Sequence, residues 1–246
     1  MTHRGGRESL VERYHGLIRG GVYSSSSKHG PPDRRFFAEV LTAIVDVLPA
    51  RPVAILECGC GSGEWLDEAG RLAMASRATA VELAGFDITP GLVDLARERL
   101  RDRAAPERLL VGDVIDPEVY ATLGGTFDLV FAFDVVQQLP RAEQRHAVER
   151  MLGAVRAGGA LVVFDHDRDS PYGRRMGMKK WITRHLRIPL VPRWYIHAAY
   201  PPLGRYAASI VGRHDLAVDV ITRPYWPRRA LVVRRLVGSA EEAQAR

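Results

Sequence analysis

The chain has 246 residues, enough for one large α/β domain with an elaborated substrate region, and its 46% hydrophobic content can bury a sizeable core. No run of about 18 apolar residues occurs, so no membrane span is expected, and the polar opening MTHRGGRESLVERYHG has no signal core, so a cytoplasmic protein is expected. The net charge of +6 is uneven: residues 168–246 hold 16 basic and 5 acidic side chains against 19 and 24 in residues 1–167, which points the basic third to an anionic partner or to a solvated Arg-rich face.

Residues 1–33 are mixed and polar, with Ser24 to Ser27 and the turn-like His29-Gly30-Pro31-Pro32, and read as a mobile arm or lid. A helix fits 34–48, with Phe37, Leu41, Ile44, Val45 and Leu48 on one face. Short apolar strands then alternate with helices: strand 53–57, helix 64–75, strand 81–87, helix 90–101, strand 109–111, helix 117–123, strand 127–133. A helix over 141–156 is stopped by Gly158-Gly159, and 160–164 is the next strand. This alternation predicts βαβ units: an α/β fold with a doubly wound, mostly parallel seven-stranded sheet. Residues 170–212 mix proline, aromatic and basic residues with no obvious strand; 218–221 and 230–233 read as two closing strands. The expected organisation is an arm over 1–33, a core over 34–167, a cap-like insert over 168–214 and closing strands with a tail over 215–246.

The central motif is ILECGCGSGEW, residues 55–65. A buried strand ends in Glu57, then Gly59, Gly61 and Gly63 permit a tight turn and close approach of a ligand, and a helix follows whose free N–H groups face that ligand. The dinucleotide pattern G-x-G-x-x-G is not met, because Glu64 stands where it wants glycine. Glu57 also suits a cationic ligand better than a diphosphate. Cys58 and Cys60 are too close for a framework disulfide and lack zinc-ligand spacing, so they read as small loop residues of a reduced protein.

The loop resembles the first motif of class I S-adenosylmethionine-dependent methyltransferases, and further motifs follow in the family's order. GFDIT resembles the motif whose carboxylate holds the ribose hydroxyls, which implies Asp87 with Ile88 beside it. VGDVID resembles the motif that meets the adenine amino group, which implies Asp113, with the Val114 N–H as neighbour. FDLVFAFDVVQQLP resembles the fourth-strand motif, which implies Phe133, Asp134 and Gln137 beside the methionine moiety, and RAGGALVVFD resembles the helix-to-fifth-strand signature. The resemblance covers about residues 35–167. It implies S-adenosylmethionine as cofactor and Glu57, Gly59, Cys60, Gly61 and Gly63 as its cradle.

Methyl transfer from a sulfonium is an in-line displacement, so the protein must align the acceptor, exclude water and, for some acceptors, supply a base. His166 in FDHDRD is the first choice for that base, and Asp134 could orient the acceptor. Related enzymes often carry histidine where Gln137 and Gln138 stand, so no histidine base is expected there. Asp134, Asp165, His166 and Asp167 are of metal-binding type, but their spacing copies no magnesium site and no metal is expected. On the acceptor side the arm brings Tyr14 and Tyr23, and the insert brings Trp181, Tyr195, His197 and Tyr200. In the insert Met176, Met178, Trp181, Ile182, Leu186 and Ile188 interleave with Arg175, Lys179, Lys180, Arg184 and Arg187. This predicts a basic amphipathic helix, packed over an acceptor pocket or lying in a membrane interface. The resemblance implies methylation of O or N of a small-molecule acceptor, anionic or amphipathic, in specialised metabolism. A prenyl, lipid-linked or RNA acceptor and a non-catalytic S-adenosylmethionine-binding regulator are the rival readings; nucleic acid is disfavoured because no separate RNA-binding module is present.

Overall fold

The computed structural model describes residues 11, 12, 15, 16, 29–191 and 197–237. Two compact units divide the chain, residues 1–127 and 128–246. In the first, helix α1 (Pro31–Val45) has proline in its opening turn, where a missing N–H is no loss, and it buries Phe36, Phe37, Val40, Leu41 and Ile44. The helix expected over 34–48 thus begins three residues earlier: Pro31 and Pro32 start it rather than precede it, and Leu48 is buried beyond its end.

Strands β1 (Val53–Cys58), β2 (Val81–Asp87) and β3 (Leu109–Val111) pair in parallel, with Val53 opposite Val81 and Gly85 opposite Leu109. Helix α2 (Glu64–Ala75) follows β1, α3 (Pro90–Arg99) follows β2 and α4 (Pro117–Leu123) follows β3. The chain therefore turns from strand to helix just after Cys58, Asp87 and Val111, where open α/β proteins place ligands.

Strand β4 (Phe127–Phe133), buried at every position, leads into the second unit. There α5 (Arg141–Gly153), β5 (Val155–His166), α6 (Pro171–His185), α7 (Leu203–Ile210), β6 (Leu216–Arg223) and β7 (Trp226–Arg235) follow. Strand β7 runs antiparallel to both β5 and β6, and its pairing sets His166 opposite Arg228. The sheet has seven strands in the order β3-β2-β1-β4-β5-β7-β6, an α/β arrangement with a hairpin-like antiparallel end.

Two expectations are corrected in this unit. The helix at 141 ends at Gly153, not 156, because the buried, β-branched Val155 already belongs to β5; Gly158, at φ 76°, lies inside that strand. Helix α6 does form where a basic amphipathic helix was expected, but its apolar and basic residues are spread around it rather than sorted to two faces, and Gly173 is its one fully buried residue. Among the described residues no helix is long and apolar enough to cross a membrane.

Candidate cofactor and acceptor sites

The glycine loop after β1 is held to the end of β2 by backbone bonds: the N–H groups of Gly59 and Cys60 both donate to the Phe86 carbonyl, at 2.7 and 2.9 Å. Gly61 adopts φ 51°, and a side chain placed there would meet nothing within 4 Å. Gly63, at φ 76°, has no such room, since a Cβ would lie 3.0 Å from Leu100. Both positions need left-handed backbone, which glycine adopts without steric cost, and only Gly61 borders open space.

Asp87 ties the loop to the next turn. Its Oδ2 accepts the Gly61 N–H at 3.0 Å and its Oδ1 accepts the Thr89 N–H at 2.8 Å. The carboxylate is thereby fixed in orientation at the end of β2, with Ile88 between Asp87 and Thr89 in sequence. Asp113, in the turn after β3, accepts the Ile115 N–H at 3.1 Å, and the Val114 carbonyl accepts the Tyr120 hydroxyl at 2.9 Å.

Glu57 is 1% exposed, and its Oε2 has no hydrogen-bond partner. Burial raises its pKa well above 4.5, with further push from Asp87 and Glu64 against the Leu66 amide. A buried carboxylate oxygen left unsatisfied is costly, and a cationic ligand relieves both the charge and the missing bond. Cys58 and Cys60 are free, buried thiols whose pKa values burial pushes up, so neither is an activated nucleophile. An aminated sulfonium nucleoside fits this cradle: a buried acidic group, an open glycine turn and an oriented carboxylate.

The second unit holds a different cluster. Asp134 sits at φ 60° after β4, and Arg228 forks onto it, Nε to Oδ1 at 3.1 Å and Nη2 to Oδ2 at 2.7 Å. Asp165 is fully buried and accepts the N–H groups of Gln137 and His166, each at 3.0 Å. Burial and the nearby Asp134 raise its pKa well above 3.8. The His166 ring, 4% exposed, packs against both Tyr172 and Tyr200, with centroids at 4.9 and 5.0 Å, and the two tyrosine rings are themselves 6.4 Å apart. Ligand atoms of Asp134, Asp165 and His166 fall within 4.8 Å of one another. A cation there would have to displace the Arg228 fork and the two amides, so the donor set does not fit a resident metal well.

Phe133 stacks on Phe164 at 5.4 Å, and buried Gln137 is fixed by its backbone, its carbonyl accepting the Ala199 N–H at 2.7 Å. Trp181, His197 and Tyr200 all line one cavity of this unit. Tyr14, Tyr23 and Tyr195 lie outside the described residues. Sequence reasoning missed Arg228 and Tyr172 as partners of the expected Asp134 and His166. Arg228 carries no local signal, since its place follows from the β5–β7 register.

Residues 55–159 match the family model described as a methyltransferase domain. No curated protein matches the chain. Among solved structures, magnesium protoporphyrin IX methyltransferase from Synechocystis PCC 6803, with S-adenosylhomocysteine bound, is 16% identical over 93% of this chain and 99% of its own, with a TM-score of 0.61. The N-methyltransferase NodS from Bradyrhizobium japonicum WM9, with S-adenosylhomocysteine bound, is 15% identical over 90% and 97%, with a TM-score of 0.58. A structure described for conversion of a disulfide bond into a thioacetal group during echinomycin biosynthesis is 17% identical over 93% and 95%, with a TM-score of 0.53. These likenesses carry the fold, and the domain match falls on the strand–loop–helix segment whose geometry is set out above. Residues 55–159 are thus similar to a methyltransferase domain, and they lie within an α/β fold shared with solved methyltransferases that hold S-adenosylhomocysteine.

Proposed function

We propose that the protein transfers the methyl group of S-adenosylmethionine to oxygen or nitrogen of a small-molecule acceptor of specialised metabolism. The observation that carries this reading is Glu57: a buried carboxylate with an unpartnered oxygen at the mouth of an open glycine turn. Bound S-adenosylmethionine supplies a methyl group already activated on a sulfonium. Glu57 would take the cofactor's cationic amino end, and the Gly59–Cys60–Gly61 backbone would lie along it, with Gly63 starting the helix behind. Asp87, oriented by the Gly61 and Thr89 amides, would accept the ribose hydroxyls. Asp113 and the Val114 N–H would meet the adenine edge, with Ile88 as apolar neighbour.

On the acceptor side, His166 would receive the acceptor's proton, its ring packed against two tyrosines. Asp134, held in orientation by the Arg228 fork, would position the acceptor. The likeness to a structure from echinomycin biosynthesis supports a specialised metabolite as acceptor class.

Calorimetric titration with S-adenosylhomocysteine tests the cofactor reading. Asp87→Ala and Gly61→Val should each weaken binding by about tenfold or more, since one removes a charged acceptor and the other fills the open space. Unchanged affinity in both variants overturns the assignment. For His166→Gln the expected outcome is lower kcat with unchanged cofactor affinity; a wild-type rate removes the histidine from the chemistry.

A further inference from the structure

One cavity of the second unit, about 570 Å³, is walled by four permanent or near-permanent cations. Arg141 comes from the first turn of α5, Arg168 from the turn after β5, and Lys180 and Arg184 from successive turns of α6. Trp181 and Tyr200 add aromatic surface, and no carboxylate lines the wall among the described residues. Arg141 and Arg184 make no ion pair or side-chain hydrogen bond with any described residue, although arginine readily finds carboxylates elsewhere in this chain. Lys180 is half-buried; its Nζ donates to the Ala198 carbonyl at 2.7 Å and lies 3.9 Å from the centre of the Tyr200 ring. Arg168 also meets Asp169 at 3.5 Å, but among the described residues no carboxylate on the cavity wall offsets the mutual repulsion of these cations, and an anion there would.

We propose that this cavity binds the anionic end, carboxylate or phosphate, of a small amphipathic molecule whose apolar body rests on Trp181 and Tyr200. The Arg141 and Arg184 forks would grip the two or three oxygens of such a group, and Lys180 would supply a point charge deeper in the wall. Identifying this molecule with the methyl acceptor rests on the methyltransferase reading; the anion site itself does not.

The burial of Lys180 supports the same picture. Desolvation lowers its pKa from 10.5 to about 8, Asp165 on β5 opposes the shift, and Arg184 on its own helix adds to it. Arg141, Arg168, His185 and His197 complete the groups facing the cavity. An anion in the cavity favours the charged ammonium, so affinity should decline as pH rises through about 8.

The test is calorimetric titration of the full chain with three probes: inorganic phosphate, 2-naphthoate and the neutral 2-naphthamide. At least one anion should bind, and the stronger of the two names the head group. Arg141→Ala/Arg184→Ala, which removes no ion pair or side-chain hydrogen bond with a described residue, and Lys180→Met, which keeps the apolar stem, should each weaken it by about tenfold. Binding of neither anion, equal binding of the amide, or affinities untouched in both variants overturns the proposal. S-adenosylhomocysteine titrated in parallel separates the two readings: its binding does not depend on these cations, so loss of one result leaves the other standing.

Discussion

At the scale of single residues, the burial that would suit Glu57 to a cation also makes its charged form a liability for folding. Its pKa is raised, so the folded state holds the proton more tightly than the unfolded chain. Its contribution to stability is therefore fully present below 4.5 and is lost progressively as pH rises toward the raised folded value. Glu57→Gln removes the ionisable group. Its melting temperature should fall less than the wild type's as pH rises from about 5 to about 8, while its affinity for S-adenosylhomocysteine drops about tenfold. A parallel pair of stability–pH curves would refute this. Asp134 poses the opposite case, an ion pair whose side chains are 11% and 12% exposed. Asp134→Ala takes the two-pronged carboxylate contact from the buried Arg228 guanidinium, and equilibrium denaturation should show a loss on the order of 3 kcal/mol. The two residues differ in how well they could be foreseen. Glu57 stands in a local motif, strand then glycine turn then helix, whose chemistry is written in consecutive residues. Arg228 lies 94 residues from Asp134, and only an antiparallel register brings it there.

At the scale of elements, α6 shows what anchors a helix that buries almost none of its own side chains. Ser170 caps it: its hydroxyl accepts the Gly173 N–H at 2.9 Å and donates to the Asp167 carbonyl at 2.7 Å. Gly173 lets the first turn pack onto the chain before it, since a Cβ there would lie 2.0 Å from the Asp167 carbonyl oxygen. Ser170→Ala should cost about 1 kcal/mol, the usual value of an N-cap. Gly173→Ala should cost at least about 2 kcal/mol, because backbone must move. Thermal denaturation followed by circular dichroism measures both, and a Gly173→Ala protein as stable as Ser170→Ala would show that the close approach is not needed. Neither residue carries a distinctive sequence signal beside the basic and aromatic residues that follow. The strands of the first unit were easier to read. Buried parallel strands are short, apolar and separated by helices, so 53–57, 81–87 and 109–111 emerge from composition alone. The junction near 153–158 was harder, because a glycine pair signals a stop but does not say which element it interrupts.

At the scale of the molecule, ligand binding and folding are linked, and the two cysteines offer a reporter of that linkage. Both stand beside the glycine turn, 0% and 4% exposed, with thiols that burial holds protonated. An aromatic disulfide reagent can reach them only when the surrounding structure opens, so labelling of the native protein should be slow and should track the population of open molecules. A ligand that binds the closed form alone reduces that population. At a concentration one hundred times its Kd, S-adenosylhomocysteine should stabilise by about 2.7 kcal/mol, slow the labelling about a hundredfold and raise the melting temperature by about 5–10 °C. The magnitude matters as much as the sign. A weak polyanion drawn to the basic residues of 168–246 would lose its effect in salt, whereas a ligand seated on Glu57 and Asp87 acts where screening is small. Slow labelling that S-adenosylhomocysteine leaves unchanged at moderate salt would mean that the glycine loop closes around something else.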